Sequence, residues 1–214
     1  MRLIIVLCLA LPTVAAQLVK ADGEPAGRFD YYVMALSWQS TWCALEGDAR
    51  DAPECDTGLG KGWVLHGLWP QYERGWPAHC PTVHRAPSRR MTSDMADIMG
   101  SAGLAWHQWN KHGSCSGLSA DDYFDLSRRA YAQIDRPDVF RKLESPVRLP
   151  AAVVEEAFLK ANPNWSRNMI TVTCKRGRIQ EIRLCLTKEL DPRICGADAA
   201  RECTLSDALL GPIR

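Results

Sequence analysis

Cysteine is the feature of this sequence that most narrows the folds it can adopt. The chain has 214 residues and nine cysteines, of which eight are spread from Cys43 to Cys203. An even number of widely spaced cysteines in an exported chain indicates a disulfide framework. No two cysteines are separated by only two residues, which argues against a zinc ribbon or a thioredoxin-like redox site. Eight cysteines allow about 105 pairings, so their spacing does not choose among them.

The first residues of the chain have the pattern of a signal peptide, which predicts that the protein is exported. Arg2 supplies a positive charge, and the apolar run from Leu3 to Val14, which contains Cys8, is too short to span a bilayer. Small residues follow, so we expect a signal peptide over 1–21, with cleavage after residue 16 as the alternative. A buried N-terminal strand or helix is the competing interpretation. The prediction is a secreted or periplasmic domain over 22–214, and no later segment is apolar enough for a membrane helix.

Net charge limits how this chain can bind nucleic acid. The whole chain carries +1, and removal of Arg2 and Lys20 with the leader leaves 24 basic against 25 acidic residues. Proteins that hold nucleic acid along an extended surface are usually strongly basic. Any such contact should therefore be local, in a cleft for about one or two nucleotides.

Apolar patterning predicts strands and helices without regular β-α-β alternation, which favours a single domain of the α+β class. Four segments have strand character: 31–39, 63–65, 169–174 and 179–186. Gly67 and Pro70 should end the second of these strands. Three longer segments have helical character: 104–112, 119–134 and 151–160.

One helical segment concentrates polar groups that carry chemistry. On a helix of about 100° per residue, His107, Gln108, Lys111 and His112 share an arc of about 140°, which is unusual for a plain core face. Two histidines could instead form a metal pair. Their angular separation suits one ion poorly, Lys111 would repel a cation, and no carboxylate lies beside them in sequence. We therefore expect no metal and no cofactor.

A third histidine follows the short strand at 63–65. His66 stands near Trp69 and Tyr72, where a histidine can serve as acid or base beside an aromatic stacking platform. The competing interpretation is a histidine and a tryptophan packed under a loop.

The two segments together resemble a known family. HGLWP over 66–70, followed about forty residues later by H-x-x-x-K-H-G-x-C over 107–115, resembles the paired active-site segments of the ribonuclease T2 family, the acid transferase-type ribonucleases. The resemblance implies an α+β fold with an antiparallel β-sheet core flanked by helices and stabilised by disulfides. It implies four pairs: Cys43–Cys55, Cys80–Cys115, Cys174–Cys203 and Cys185–Cys195.

The resemblance also implies an activity: metal-independent cleavage of single-stranded RNA through a 2′,3′-cyclic phosphate. The RNA's own 2′-hydroxyl is the nucleophile, so DNA should resist. We expect a monomer that does not bind membranes. The implied catalytic roles are His112 as base, His66 as acid, Lys111 as the neutralising charge and His107 as a phosphate-binding imidazolium. The implied base contacts are Trp69, the weaker candidate Tyr72, and Gln39.

Gln108 departs from the family pattern, which usually has Glu at this position. Gln108 stays among the candidate catalytic residues, because its amide can donate to a phosphate oxygen. It cannot take up a proton, so we expect retained activity with an altered pH profile. The alternatives are an inactive family member that binds RNA or protein, an unrelated disulfide-bonded binding domain, and a metal-dependent hydrolase.

Overall fold

The computed structural model describes residues 23–214, so the signal peptide predicted over 1–21 lies outside the described residues. The α-helices of the described part are α1 (Gln39–Trp42), α2 (Arg89–Asp94), α3 (Ala96–Met99), α4 (Ala102–Lys111), α5 (Ala120–Ala132) and α6 (Ala151–Ala161). The strands are β1 (Tyr31–Trp38), β2 (Trp63–Gln71), β3 (Val147–Leu149), β4 (Ile170–Lys175), β5 (Arg178–Leu186) and β6 (Ala208–Leu210). None of these helices is both long enough and apolar enough to cross a bilayer.

The six strands form one sheet. The strand order is β2-β1-β5-β6-β3, and β4 also pairs with β5. Helices α3, α4 and α5 pack near β2, and α6 packs near β4. Every strand pairing is antiparallel except that of β5 with β6, where Arg178 is opposite Leu209. The predicted α+β class is therefore confirmed, with one short parallel pairing that makes the sheet mixed.

The side chains of β1 alternate in size between the two faces of the sheet. Met34, Leu36 and Trp38 are fully buried and belong to the main hydrophobic core. Side chains two apart on a strand share a face, so the residues between them point the other way. Those residues are smaller: Val33, Ala35 and Ser37. One face of the strand thus fills the core, and the other leaves room above the sheet.

Strand β2 continues well beyond the segment predicted for it. The sequence analysis expected Gly67 and Pro70 to end regular structure, but the strand pairs with β1 as far as Gln71. Proline lacks the backbone N–H, so within sheets it is mainly restricted to edge strands. Because β2 is an edge strand, Pro70 is tolerated there, and the prediction that it ends the strand was wrong.

Four disulfides join the eight cysteines of the described chain, in the pairs that the family resemblance implies. Cys80–Cys115 links the segment after β2 to the turn that follows α4. His79 N also donates to the carbonyl oxygen of Lys111 over 2.9 Å. These two links fix the two motif segments of the sequence relative to each other.

Phe158 on α6 provides a test of the core. Its ring is 1% exposed and lies 5.3 Å from the Trp63 ring, centroid to centroid. Replacing Phe158 with Ala should lower the free energy of unfolding by about 3–5 kcal/mol, because it removes buried apolar contacts and leaves a cavity. Val153→Ala, on the same helix but at a 45% exposed position, should change it by less than about 0.5 kcal/mol. Urea denaturation of both variants measures this, and equal effects would contradict the described burial.

Candidate active site

A cavity of about 260 Å³ opens between the sheet and α4. His66 and Trp69 from β2 line it together with the four polar residues of the α4 segment. The two sequence motifs therefore line the same cavity. Its lining residues are Val33, His66, Trp69, Gln71, Trp76, His107, Gln108, Lys111, His112, Arg183, Asp198 and Ala199.

His66 lies where β2 departs from regular pairing with β1. The register shifts between Ala35 and Leu36, which leaves His66 as the extra residue of a β-bulge. A bulge re-aims a side chain, and Nδ1 of His66 lies 2.5 Å from Oε1 of Glu181 on β5. An ionised carboxylate only accepts hydrogen bonds, so Nδ1 carries the proton. Nε2, on the other side of the ring, is left for the pocket.

Trp69 on β2 contacts residues of both motif segments. Its Nε1 donates to Oε1 of Gln108 over 2.7 Å, and Gln108 is 1% exposed. Its ring stacks on His112 with centroids 5.3 Å apart and meets the His66 ring edge-on at 5.2 Å. A Cβ at Gly67 would collide with Gln108 Oε1 and Trp69 Nε1, so this close approach of α4 to β2 requires glycine.

His112 is the most buried histidine of the pocket. It caps the C-terminal end of α4, is 6% exposed, and its Nδ1 has no hydrogen-bond partner within residues 23–214. Burial, and after it the positive charges of Lys111, His66 and His107, lower the pKa of His112 to about 3. The ring is therefore neutral at moderate pH and able to accept a proton.

At the pocket, His107 is exposed and Lys111 is half-buried. Burial, and then the charge of Lys111, lower the pKa of His107. The sequence analysis expected an imidazolium here, but this shift favours a neutral ring in the free protein. His107 can still donate one N–H to a phosphate, while Lys111 provides the fixed positive charge.

Two predicted base contacts are not brought to the pocket. Gln39 is 6% exposed, and its Nε2 donates to the carbonyl oxygen of Glu54 over 3.1 Å. It sits beside the Cys43–Cys55 disulfide, where a small separate cavity is lined by both cysteines. Tyr72 is partly buried and packs against the main core. The structure thus gives both residues packing contacts away from the pocket.

Four residues outside the two motifs shape the site, and the sequence analysis missed them. Trp76 is 43% exposed in the pocket wall. Asp198 accepts a hydrogen bond from Gly75 N over 2.6 Å and so holds the turn before Trp76. Arg183 donates twice to Glu181 Oε2, over 3.1 and 3.0 Å. Glu181 and Arg183 are two apart in β5, a spacing that places both on one face of the sheet and could have indicated them.

These features define a class of protein: a disulfide-bonded α+β domain with a pocket lined by histidines. Among residues 23–214 no group of three or more His, Cys, Asp or Glu side chains is arranged to hold a metal ion. The model of the Ribonuclease T2 family matches residues 29–195, which is more than half of the chain. The chain belongs to the Ribonuclease T2 family.

Two similar proteins are named as ribonucleases. A ribonuclease of Aeromonas hydrophila is 40% identical over 148 residues, which cover 69% of this chain and 61% of that protein. A probable ribonuclease of Haemophilus influenzae is 30% identical over 121 residues, which cover 51% of this chain and 44% of that protein. The chain thus spans less than two thirds of the length of either relative.

A solved structure shares the fold. RNase NT, whose structure was determined in complex with 5′-AMP, superimposes with a TM-score of 0.61 at 18% identity. The superposition covers 87% of this chain and all of that one. At this identity the likeness describes the fold alone.

The low pKa of His112 makes the stability of the protein depend on pH. Between its ordinary value of about 6.5 and its folded value of about 3, the unfolded chain binds a proton that the folded chain does not. The free energy of unfolding should therefore decrease as pH falls below 6.5, by about 2 kcal/mol from pH 7 to pH 5. His107 adds to this loss in the same direction.

Chemical denaturation of wild type and His112→Gln at pH 7, 6 and 5 measures this dependence. The variant should show a clearly smaller decrease, because its side chain does not titrate. His84→Gln, at an exposed histidine, is the matched control and should follow the wild type. An unchanged slope in His112→Gln would contradict a buried neutral ring.

Proposed function

We propose that this protein is an endoribonuclease that cleaves single-stranded RNA without a metal or other cofactor. Family membership and the related ribonucleases support this proposal. The observation that carries it is the difference between the surroundings of the two pocket histidines. His66 is hydrogen-bonded to the Glu181 carboxylate, whereas His112 is buried without a partner for Nδ1 among residues 23–214 and is neutral. Histidines in such unlike environments suit opposite roles in proton transfer.

The first step uses His112 as the base. Its neutral ring accepts the proton of the RNA 2′-hydroxyl, and the 2′-oxygen forms a bond to the adjacent phosphorus. Negative charge develops on the phosphoryl oxygens. Lys111 ends α4 directly before His112 and neutralises this charge, while His107 on α4 donates a hydrogen bond to the phosphate.

The same step uses His66 as the acid. As the bond between phosphorus and the 5′-oxygen breaks, Nε2 of His66 gives its proton to that oxygen. The products are a 2′,3′-cyclic phosphate and a free 5′-hydroxyl. DNA lacks the 2′-hydroxyl and should not react. Gln108 contributes its hydrogen bond to Trp69 and so supports the wall of the site rather than taking part in proton transfer.

Base recognition is assigned to the outer wall of the pocket. Trp76 presents an exposed ring there, and aromatic rings bind nucleobases by stacking. Trp69 already contacts His66, His112 and Gln108, so it mainly shapes the wall beside the bound base. The RNase NT structure with 5′-AMP supports a nucleotide as the kind of ligand that this fold accepts.

The disulfides also bear on where the protein acts. Four disulfides are typical of chains that fold in an oxidising compartment, so we propose that it acts in the periplasm or outside the cell. We further propose that it acts as a monomer, because one chain supplies both histidines and Lys111.

Cleavage of RNA in excess EDTA between about pH 5 and 8 tests the function. Oxidised wild-type protein should release fragments with 2′,3′-cyclic phosphate ends. His112→Ala should lose about 10²- to 10⁴-fold in rate, because it lacks the base. DNA of the same sequence should stay intact. Absence of cleavage by folded, fully oxidised wild-type protein would reject the enzyme and favour a family member that only binds RNA or protein.

Trp76 provides a separate test of base binding. Trp76→Ala should raise KM for a dinucleotide by about 5- to 100-fold, because stacking on an aromatic ring contributes about 1–3 kcal/mol per base. The rate at saturation should change little. Trp106→Ala is the matched control, since Trp106 is 46% exposed but does not line the pocket. Equal KM values for the two variants would remove Trp76 from the binding site.

A further inference from the structure

Glu181 is a buried carboxylate that the reaction described above does not itself consume. It is 1% exposed, although a buried charge is costly unless it is paired and hydrogen-bonded. Its Oε1 accepts from His66 Nδ1 at 2.5 Å and from Ser37 Oγ at 3.3 Å. Its Oε2 accepts from Nε and Nη2 of Arg183. Every oxygen of the carboxylate is thus used, and one of its partners is the proposed acid.

The sheet brings His66 and Glu181 together from β2 and β5, two strands that do not pair with each other. Ser37 is opposite Glu181 in the pairing of β1 with β5, so their side chains share a face. His66 reaches the same place from β2, on the other side of β1. Ala35 and Ser37 are small, so His66 and Glu181 can meet above the central strand. A larger residue on this face of β1 would occupy the space in which the two side chains meet.

The remaining charges around the pair define its electrostatic setting. Arg183 lies beside Glu181, and its guanidinium carbon is 5.5 Å from the Trp69 ring centroid. Lys111 and His112 face the pocket from α4. Burial would raise the pKa of Glu181, but the hydrogen bond and charge of His66 and the charge of Arg183 hold it below its ordinary value. The carboxylate is therefore ionised and able to accept the Nδ1 proton.

We propose that Glu181 is a positioning residue for His66: it accepts the Nδ1 proton, fixes the tautomer of the ring and holds Nε2 towards the leaving 5′-oxygen. Glu181 keeps its hydrogen bond throughout and takes up no proton itself. Before the reaction His66 carries protons on both ring nitrogens; it passes the Nε2 proton to the 5′-oxygen and becomes neutral, with Nδ1–H still bound to the carboxylate. This inference rests on the proposed function, because it assigns a role within that reaction.

The leaving group distinguishes this role from a purely structural one. A dinucleotide releases an alkoxide that needs a proton, whereas a nucleoside 3′-(p-nitrophenyl phosphate) releases a phenolate that needs little help. Glu181→Gln keeps the size of the side chain but removes its charge. It should slow dinucleotide cleavage by about 10²-fold or more and change p-nitrophenol release by less than about 10-fold. A variant that merely disturbs the site would slow both reactions alike and would overturn the proposal.

Two controls sharpen the comparison. Glu155→Gln removes another buried carboxylate, 7% exposed and paired with Arg167 over 3.0 Å outside the pocket, and should leave both reactions unchanged. Adding Glu181→Gln to His66→Ala should cause no further loss on the dinucleotide, because residues that act as one unit are not additive. A further loss comparable to that in the wild-type background would mean that Glu181 acts independently of His66.

Nitrogen-15 NMR of histidine-labelled wild type tests the pairing without any variant. His66 should show a proton on Nδ1 that exchanges slowly with water and resonates far downfield. If Glu181→Gln fails to fold, this spectrum decides the matter, and a neutral ring protonated only on Nε2 would overturn the proposal. A wild-type protein that cleaves neither substrate would instead reject the proposed function, so the two failures are distinguishable.

Discussion

The alternation of large and small side chains along β1 is the constraint on which the rest of the site depends. Met34, Leu36 and Trp38 fill the main core below the sheet, which anchors the strand between β2 and β5. Ala35 and Ser37 point to the other face of the sheet and leave space above the strand. Since strand periodicity is two, a slip of one residue would place a tryptophan or leucine where His66 and Glu181 meet. Core packing and site geometry are therefore set by the same register.

The second constraint joins helix α4 to that sheet. Cys80–Cys115 holds the end of the helix near the segment after β2, and Gln108 receives the Trp69 hydrogen bond at their contact. A glutamate at position 108 would also accept that bond, but it would add a charge at a 1% exposed site. The amide meets the structural need without this cost. Glu181 supplies a buried negative charge from β5, next to His66 rather than next to His112.

The sequence predicted the parts of the site that lie in short, polar, closely spaced segments. Helical spacing, which depends only on local geometry, predicted that His107, Gln108, Lys111 and His112 share one side, and all four line the pocket. It could not predict Glu181 beside His66, since that contact depends on the strand order and on a bulge, both of which are non-local. Gln39 was assigned to the site by resemblance alone, but in the folded chain its amide satisfies the carbonyl of Glu54 beside a disulfide. Trp76 was missed because it follows the motif in an irregular segment without a periodic signal.

A nearly neutral chain can still attract a phosphodiester if its charges are suitably placed. Lys111 and Arg183 both border the cavity, and Arg183 is oriented by a buried carboxylate rather than by solvent. Charges at the edge of a low-dielectric cleft act on a bound phosphate more strongly than the same charges spread over a surface. Asp198 lies on the same wall and restricts the favourable region to a small part of it. Such an arrangement suits recognition of one phosphate and its neighbouring bases rather than of a long strand.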